Sequence, residues 1–245
     1  MNIAIVHDGP KHHSLVLTSV VSAILKKYSG STVTLITGDK NLAFHKFNTR
    51  VTPVSFDAVD IDRKFDLVVD YGGSDKAIRT SISLETDKYL GPLSSGFESD
   101  IQAFRGIYTD TEVNRSIFQM MFGVAGLKWK GQGYAFNYYP RSRTKKGRFG
   151  AAVSNHKLRK YLRSEVPKDN EKLWHIPIRQ SVYKQFDEIN KCEKIITDDP
   201  FVMHAALCLR KWVEYLVYSI PSERLEFFGS GCVHLIPSNL KGEDE

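Results

Sequence analysis

Cysteine is scarce in this chain. Cys192, Cys208 and Cys232 are the three among 245 residues, an odd and scattered set without CxxC spacing. Neither a disulfide framework nor a cysteine zinc site is indicated, and the thiols read as buried. Long apolar runs are missing too. No stretch approaches the roughly 18 residues of a membrane helix, and Met1-Asn2-Ile3 enters a strand-like run without a basic leader or apolar signal core. A cytoplasmic protein is the expectation. The sequence also lacks GxGxxG, a Walker loop, GxSxG and HExxH, which disfavours dinucleotide oxidoreductases, P-loop enzymes, α/β-hydrolases and zincins. No internal repeat, low-complexity tract or long linker is present.

One absence is local. Residues 128–163 hold eleven Lys/Arg and no Asp or Glu, leaving 23 basic against 28 acidic residues elsewhere, so this segment supplies the whole of the +6 net charge. Such localisation points to a polyanionic partner.

What is present is an ordinary globular composition, 42% hydrophobic and 25% charged, which supports a folded core. Ile3-Ala4-Ile5-Val6 is the continuous apolar run of a buried parallel strand. Ser14 to Lys27 follows with helical spacing at Leu15, Leu17, Val20, Val21, Ile24 and Leu25. Further strands are expected at 32–37, 51–56 and 65–70, and a helix at Thr111–Phe122 capped by Thr109 or Asp110. A second α/β set begins at Arg148, with strands at 149–153 and 173–176 and helices at 156–164 and 180–190. Alternating strands and helices argue for a doubly wound sheet. The expected division is 1–127, a basic aromatic link 128–147, and 148–245, giving two half-size Rossmann-like domains.

The chain is organised around Lys194 to Val217: a short apolar strand, the turn Thr197-Asp198-Asp199-Pro200, a helix with one histidine, and another apolar strand. Ligands of open α/β sheets bind at such turns, where strand carboxyl ends and helix amino ends converge. A helix amino end suits phosphate, and Pro200 suits a first helical turn. His204 lies about one and a half turns beyond Asp199, near the same helix end.

At these residues the chain resembles glycosyltransferase family 9, the heptosyltransferase-like enzymes, with their Thr-Asn-Asp-Ser-Gly-x-x-His-hydrophobic-Ala-Ala motif. Thr197, Asp199, His204 and Ala206 fall in register, whereas Pro200-Phe201 replaces the family's Ser-Gly. Phe65-Asp66-Leu67-Val68-Val69-Asp70 is similar to another family strand, and Gly150 to Tyr161 echoes a third segment through Ser154, Lys157 and Arg159. The resemblance implies a GT-B fold, two Rossmann-like domains facing across a cleft, with the donor nucleotide sugar held chiefly by the second. Thr197, Asp198, Asp199, His204, Ser154, Lys157 and Arg159 are then the donor-site candidates.

Glycosyl transfer needs a base for the acceptor hydroxyl and positive charge or dipoles for the departing diphosphate. His7, Asp8, His12 and His13 cluster in the first strand-to-helix turn. The family's loop aspartate falls at or near His13 when helices are aligned, while Asp8 sits earlier, so both stand as candidate bases. No cofactor or metal is expected. Asp60-Ile61-Asp62 has the DxD spacing of a different glycosyltransferase fold but lies in a charged connection, and is discounted. Lys128, Lys130, Arg141, Arg143, Lys145, Lys146 and Arg148 interleave with Trp129, Tyr134, Phe136, Tyr138 and Tyr139, a pattern that suits phosphates and bases. The acceptor expected is a polyanion, either the phosphorylated core of lipopolysaccharide or a hydroxymethylated base in DNA. A glycolipid acceptor would place the protein at the inner membrane face. The alternative is a non-catalytic nucleic-acid-binding protein on the same scaffold, which Pro200-Phe201 favours.

Overall fold

In the computed structural model, described for residues 1–46, 48–91, 117–165, 173–216 and 232–235, the chain divides into two compact units, Met1–Asn137 and Tyr138–Glu245. The first is built on β1 (Asn2–His7), β2 (Thr32–Thr37), β3 (Val51–Ser55), β4 (Leu67–Asp70) and β5 (Tyr89–Leu90), paired in parallel in the order β3-β2-β1-β4-β5. This is the Rossmann order. Successive side chains of a strand face opposite ways, and both faces here are covered. Ile3, Ile5, Val33, Leu35, Leu67 and Val69 pack with helices α1 (Lys11–Lys27) and α3 (Ile117–Val124), whereas Ala4, Val6, Ile36 and Val68 pack with Phe56, Phe65 and Ala77. Ala77 belongs to α2 (Asp75–Ser83).

The second unit carries β6 (Phe149–Ala152), β7 (Leu173–His175), β8 (Lys194–Thr197), β9 (Trp212–Leu216) and β10 (Cys232–Leu235), again parallel, ordered β10-β9-β8-β6-β7. This is the flavodoxin-like order. Helices α4 (His156–Glu165), α5 (Val182–Asn190) and α6 (Pro200–Cys208) complete it. Leu158 and Leu162 of α4 pack on Ala151, Val153 and Ile196. Gly150 cannot carry a side chain without shifting its neighbours, since a Cβ would stand 2.7 Å from Ile176 and Ile195 and 2.9 Å from Cys192.

The doubly wound α/β class read from the sequence is therefore observed, twice. Boundaries shift slightly. α1 starts three residues before Ser14, β4 begins at Leu67 instead of Phe65, and α5 begins at Val182 instead of Gln180. The expected start of the helix at Thr111 and its cap at Thr109 or Asp110 lie outside the described residues.

The basic aromatic segment is divided between the units. Trp129 and Tyr134 pack against the first core beside Phe118, and Phe136 meets Phe44. Residues 138–147 run along α5: the Tyr138 hydroxyl and the Arg141 N–H donate to the Asp187 carboxylate, at 3.1 and 2.8 Å, and Lys145 N–H donates to the Lys191 carbonyl at 3.0 Å. Most of the aromatics expected to meet bases thus serve packing, and Tyr139 alone of the five is fully presented, 88% exposed.

Candidate functional site

In each sheet the strand order reverses at one place, and ligands of open α/β sheets bind outside the carboxyl ends there. In the first unit that place lies between β1 and β4. In the second it lies between β6 and β8.

At the first, β1 runs into His7, Asp8 and Gly9, and β4 into Tyr71, Gly72, Gly73 and Ser74. Asp8 N–H donates to the Gly72 carbonyl at 3.0 Å, and the Ser74 hydroxyl donates to the Asp8 carboxylate at 2.6 Å. Gly72 and Gly73 both take positive φ, 59° and 105°. A Cβ on Gly73 would lie 2.3 Å from the Asp8 carbonyl oxygen, so the close approach of the two loops requires glycine. Asp8 is half-buried, while His13 is buried on α1. Below the loop, the fully buried Asp70 carboxylate accepts from Gly72 N–H (2.6 Å), Ser81 (2.6 Å) and Tyr89 (2.5 Å). Burial raises its pKa, with those hydrogen bonds acting the other way.

Beside this turn is a buried polar group of which the sequence singled out His7 but not Thr37, Asn41 or His45. His7 pairs with Thr37 across β1 and β2, and the short 3₁₀ helix Asp39–His45 brings Asn41 and His45 to the same end. The Asn41 amide donates to the Gly9 carbonyl at 3.0 Å. His7 Nε2, Thr37 Oγ1, Asn41 Oδ1 and His45 Nε2 are buried without a hydrogen-bond partner among the described residues. Burial holds the imidazoles neutral. The pKa of His7 falls from 6.5 to about 3, chiefly by desolvation and further by His45, Lys40 and His12, and desolvation takes His12 and His45 to about 4. Thr37 and Asn41 lie in segments of ordinary composition, so no local signal marked them.

At the second switch point the polar groups satisfy one another. The Asp198 carboxylate accepts from Ser154 N–H at 2.8 Å, from the Ser154 hydroxyl at 3.0 Å and from Asn155 N–H at 2.7 Å, just ahead of α4. Asp199 caps α6, accepting from Val202 N–H at 2.9 Å. Buried Thr197 ties the strands together, donating to the Ala152 carbonyl at 2.6 Å and accepting from Asp199 N–H at 3.0 Å. His204 is buried within α6. Arg159 is exposed on α4, its Nε donating to the Val153 carbonyl at 2.7 Å, which anchors the guanidinium at the carboxyl end of β6. Lys157 stands on the same helix, and its side chain lies outside the described part. Six donor-site candidates (Ser154, Arg159, Thr197, Asp198, Asp199 and His204) thus gather at one sheet edge or on the helix it feeds.

The fold places this chain beside known proteins. A heptosyltransferase of E. coli, WaaC, bound to ADP-2-deoxy-2-fluoro heptose, superposes with a TM-score of 0.62 at 11% identity, covering 96% of this chain and 93% of its own. A glycosyl transferase family 9 structure from Veillonella parvula superposes with a TM-score of 0.64 at 11% identity, over 96% of this chain and 85% of its own. The chain has the fold of the family 9 glycosyltransferases. The E. coli ADP-heptose lipopolysaccharide heptosyltransferase II agrees, with a TM-score of 0.53 at 11% identity over 98% and 92% of the two chains. No protein-family model and no curated protein matches this sequence.

The remaining candidates lie elsewhere. Lys128 and Lys130 are exposed on the first unit, and Arg141, Arg143, Lys145 and Lys146 on the second, with Arg148 half-buried before β6. Asp60 and Asp62 form a local turn in which Asp62 N–H donates to the Asp60 carboxylate at 3.2 Å. Among the described residues no cluster of His, Cys, Asp or Glu could hold a metal ion, and no helix is long and apolar enough to cross a membrane.

Proposed function

We propose that this chain is an inverting glycosyltransferase, needing no metal, that moves a sugar from a nucleotide-diphosphate sugar to a hydroxyl of a polyanionic acceptor. The observation that carries the reading is the coincidence of a solvent-reaching carboxylate, Asp8, at one switch point with the donor-site candidates at the other, on a fold shared with heptosyltransferases.

Asp8 serves as the base. It is half-buried and oriented by the Ser74 hydroxyl, whereas His13 is buried on α1. One Asp8 oxygen takes the proton of the acceptor hydroxyl as that oxygen attacks the anomeric carbon. The C–O bond to the diphosphate breaks on the opposite face, so the configuration inverts. Negative charge then gathers on the leaving diphosphate and must be met by preorganised cations or dipoles. Asp198 already takes the N–H groups of Ser154 and Asn155, so this charge falls to Arg159 and Lys157 on α4.

The acceptor's own negative charge is met by the basic run 128–163. Two acceptors fit it, a phosphorylated core saccharide and hydroxymethylated DNA. The test is incubation with a panel of nucleotide sugars, scoring nucleotide diphosphate release with core oligosaccharide, with hydroxymethylated DNA and with neither, in chelator throughout. Release that depends on one acceptor supports the reading and identifies that acceptor. Nucleic-acid binding with no release under any condition would favour the non-catalytic alternative, with which Pro200-Phe201 and the Asp198-filled turn are in keeping. Activity seen only after magnesium or manganese is restored would overturn metal independence.

A further inference from the structure

The second unit has a hollow at the other end of its sheet. A cavity of about 370 Å³ is lined by Ser142, Arg143, Lys145, Arg148, Trp174 and Lys191. Arg148 immediately precedes β6 and Lys191 lies in the turn before β8, so the cavity sits at the amino-terminal edge. The Ser154–Asp198 turn is at the carboxyl-terminal edge of the same two strands. Four-residue strands at roughly 3.3 Å per residue separate the two by roughly 15 Å.

The wall is held rigidly. Glu193 N–H donates to the Arg148 carbonyl at 2.9 Å, Gly147 N–H to the Glu193 carboxylate at 2.7 Å, and the Asn190 amide to the Ser142 carbonyl at 2.7 Å. Behind it the Lys211 ammonium donates to Thr144 Oγ1 at 2.7 Å and to the Asn190 carbonyl at 3.1 Å. The Arg148 guanidinium lies 4.5 Å from the centre of the Trp174 ring and the Lys191 ammonium 5.2 Å from it. The Glu188 carboxylate receives the Trp174 indole N–H at 2.8 Å and balances Lys191 at 2.6 Å. Arg143, Lys145 and Arg148 have no ion-pair partner among the described residues.

Arg143, Lys145 and Arg148 thus line one concave spot on a strapped turn, beside the Lys191–Glu188 pair. We propose that this cavity is a second anion site, distinct from the donor crevice, for a compact and multiply charged phosphate such as a phosphomonoester or diphosphate group. A single cavity of this size suits a compact anion better than an extended phosphodiester strand, which needs charges spaced along a track. The ring offers little to a nucleic-acid base, because Arg148 and Lys191 already lie against it. Arginine suits the role through its fork of donors, lysine as a point charge. The site stands whether or not the chain transfers sugars.

The experiment is calorimetric titration of the full chain with inorganic pyrophosphate at low salt, for the wild type, R143Q/K145Q, R159Q and, as a charge-matched control on the exposed end of α1, K26Q/K27Q. Saturable binding is expected, weakened about tenfold or more in R143Q/K145Q and unchanged in K26Q/K27Q. Both substituted cations of the cavity are exposed, and R148Q replaces the double variant should that fail to fold. No saturable binding, or equal affinity in the cation variants, overturns the proposal. Loss in R159Q with wild-type affinity kept in R143Q/K145Q assigns pyrophosphate to the donor crevice, which also overturns it while leaving the glycosyl-transfer reading intact. A twelve-residue oligothymidylate that displaces pyrophosphate and binds more tightly than it overturns the compact-phosphate assignment in favour of a strand.

Discussion

The two switch points are built on parallel sheets of equal strand number among the described residues, yet they treat their polar atoms in opposite ways. In the second unit Asp198, Asp199 and Thr197 find donors or acceptors within their own turn and the adjoining end of β6 with its turn, so the two turns complete each other. In the first, buried His7 Nε2, Thr37 Oγ1, Asn41 Oδ1 and His45 Nε2 go without partners among the described residues, although each such group costs about 1–3 kcal/mol. Native proteins keep few groups of this kind, and those they keep call for a functional or hydration role. The contrast is one of hydrogen bonding: the first turn keeps buried polar atoms open among the described residues, and the second pairs its own.

Substitution should expose this difference. Asp8→Asn removes the proposed base and keeps its shape, so kcat should fall by about 10²–10⁴ while nucleotide affinity holds. Equal turnover by the two proteins would move the base elsewhere and erase the contrast. Gly73→Ala comes next. Its Cβ would meet the Asp8 carbonyl oxygen at 2.3 Å from a backbone at φ 105°, so about 3 kcal/mol of stability should be lost, read by denaturant unfolding.

Acid should separate the turns as well. The folded pKa values of His7, His12 and His45, about 3, 4 and 4, lie below the ordinary 6.5, so the unfolded chain takes up protons first as pH falls. Their contribution is whole above about 6.5 and declines as pH drops toward 4. The raised Asp70 carboxyl acts in the opposite sense: its contribution to the folded state is whole below the ordinary carboxylate pKa of 3.8 and is lost as pH rises through its raised folded value. His45→Gln should flatten the loss of stability between pH 6.5 and 4, measured by thermal unfolding across that range. An unchanged slope would mean that the buried imidazoles do not set it. The smallest effect belongs to the self-satisfied turn. Asp199→Ala removes the α6 cap and should cost about 1 kcal/mol with folding otherwise intact.

Much of the scaffold was legible in the sequence. β2 was read with its observed ends, and β8 and α6 emerge from the apolar strand, acidic turn and helix of 194–208. α2 escaped because only Ala77 and Ser81 are buried along Asp75–Ser83, too sparse a stripe to show a period, and Ile82 faces solvent. β5 escaped through its length of two residues. Asp8 could be found from its turn, but the partner that orients it, Ser74, lies 66 residues away. Long-range pairs of this sort leave no local mark. The aromatic residues between the cations illustrate the converse: their spacing fits base stacking, and packing against two separate cores accounts for most of them.

Ser74 has one further consequence. Its hydroxyl accepts from Ala77 N–H at 3.2 Å, starting α2, and gives its proton to Asp8. A hydroxyl has one proton and two lone pairs, so a single atom sets both the helix start and the aim of the carboxylate. Mutational tolerance at the two positions should therefore differ in kind. A library scored for folding and the same library scored for turnover should rank substitutions at Ser74 alike, with threonine spared by both. At Asp8 the two rankings should part, since the carboxylate can be replaced by an amide without losing the shape that folding requires.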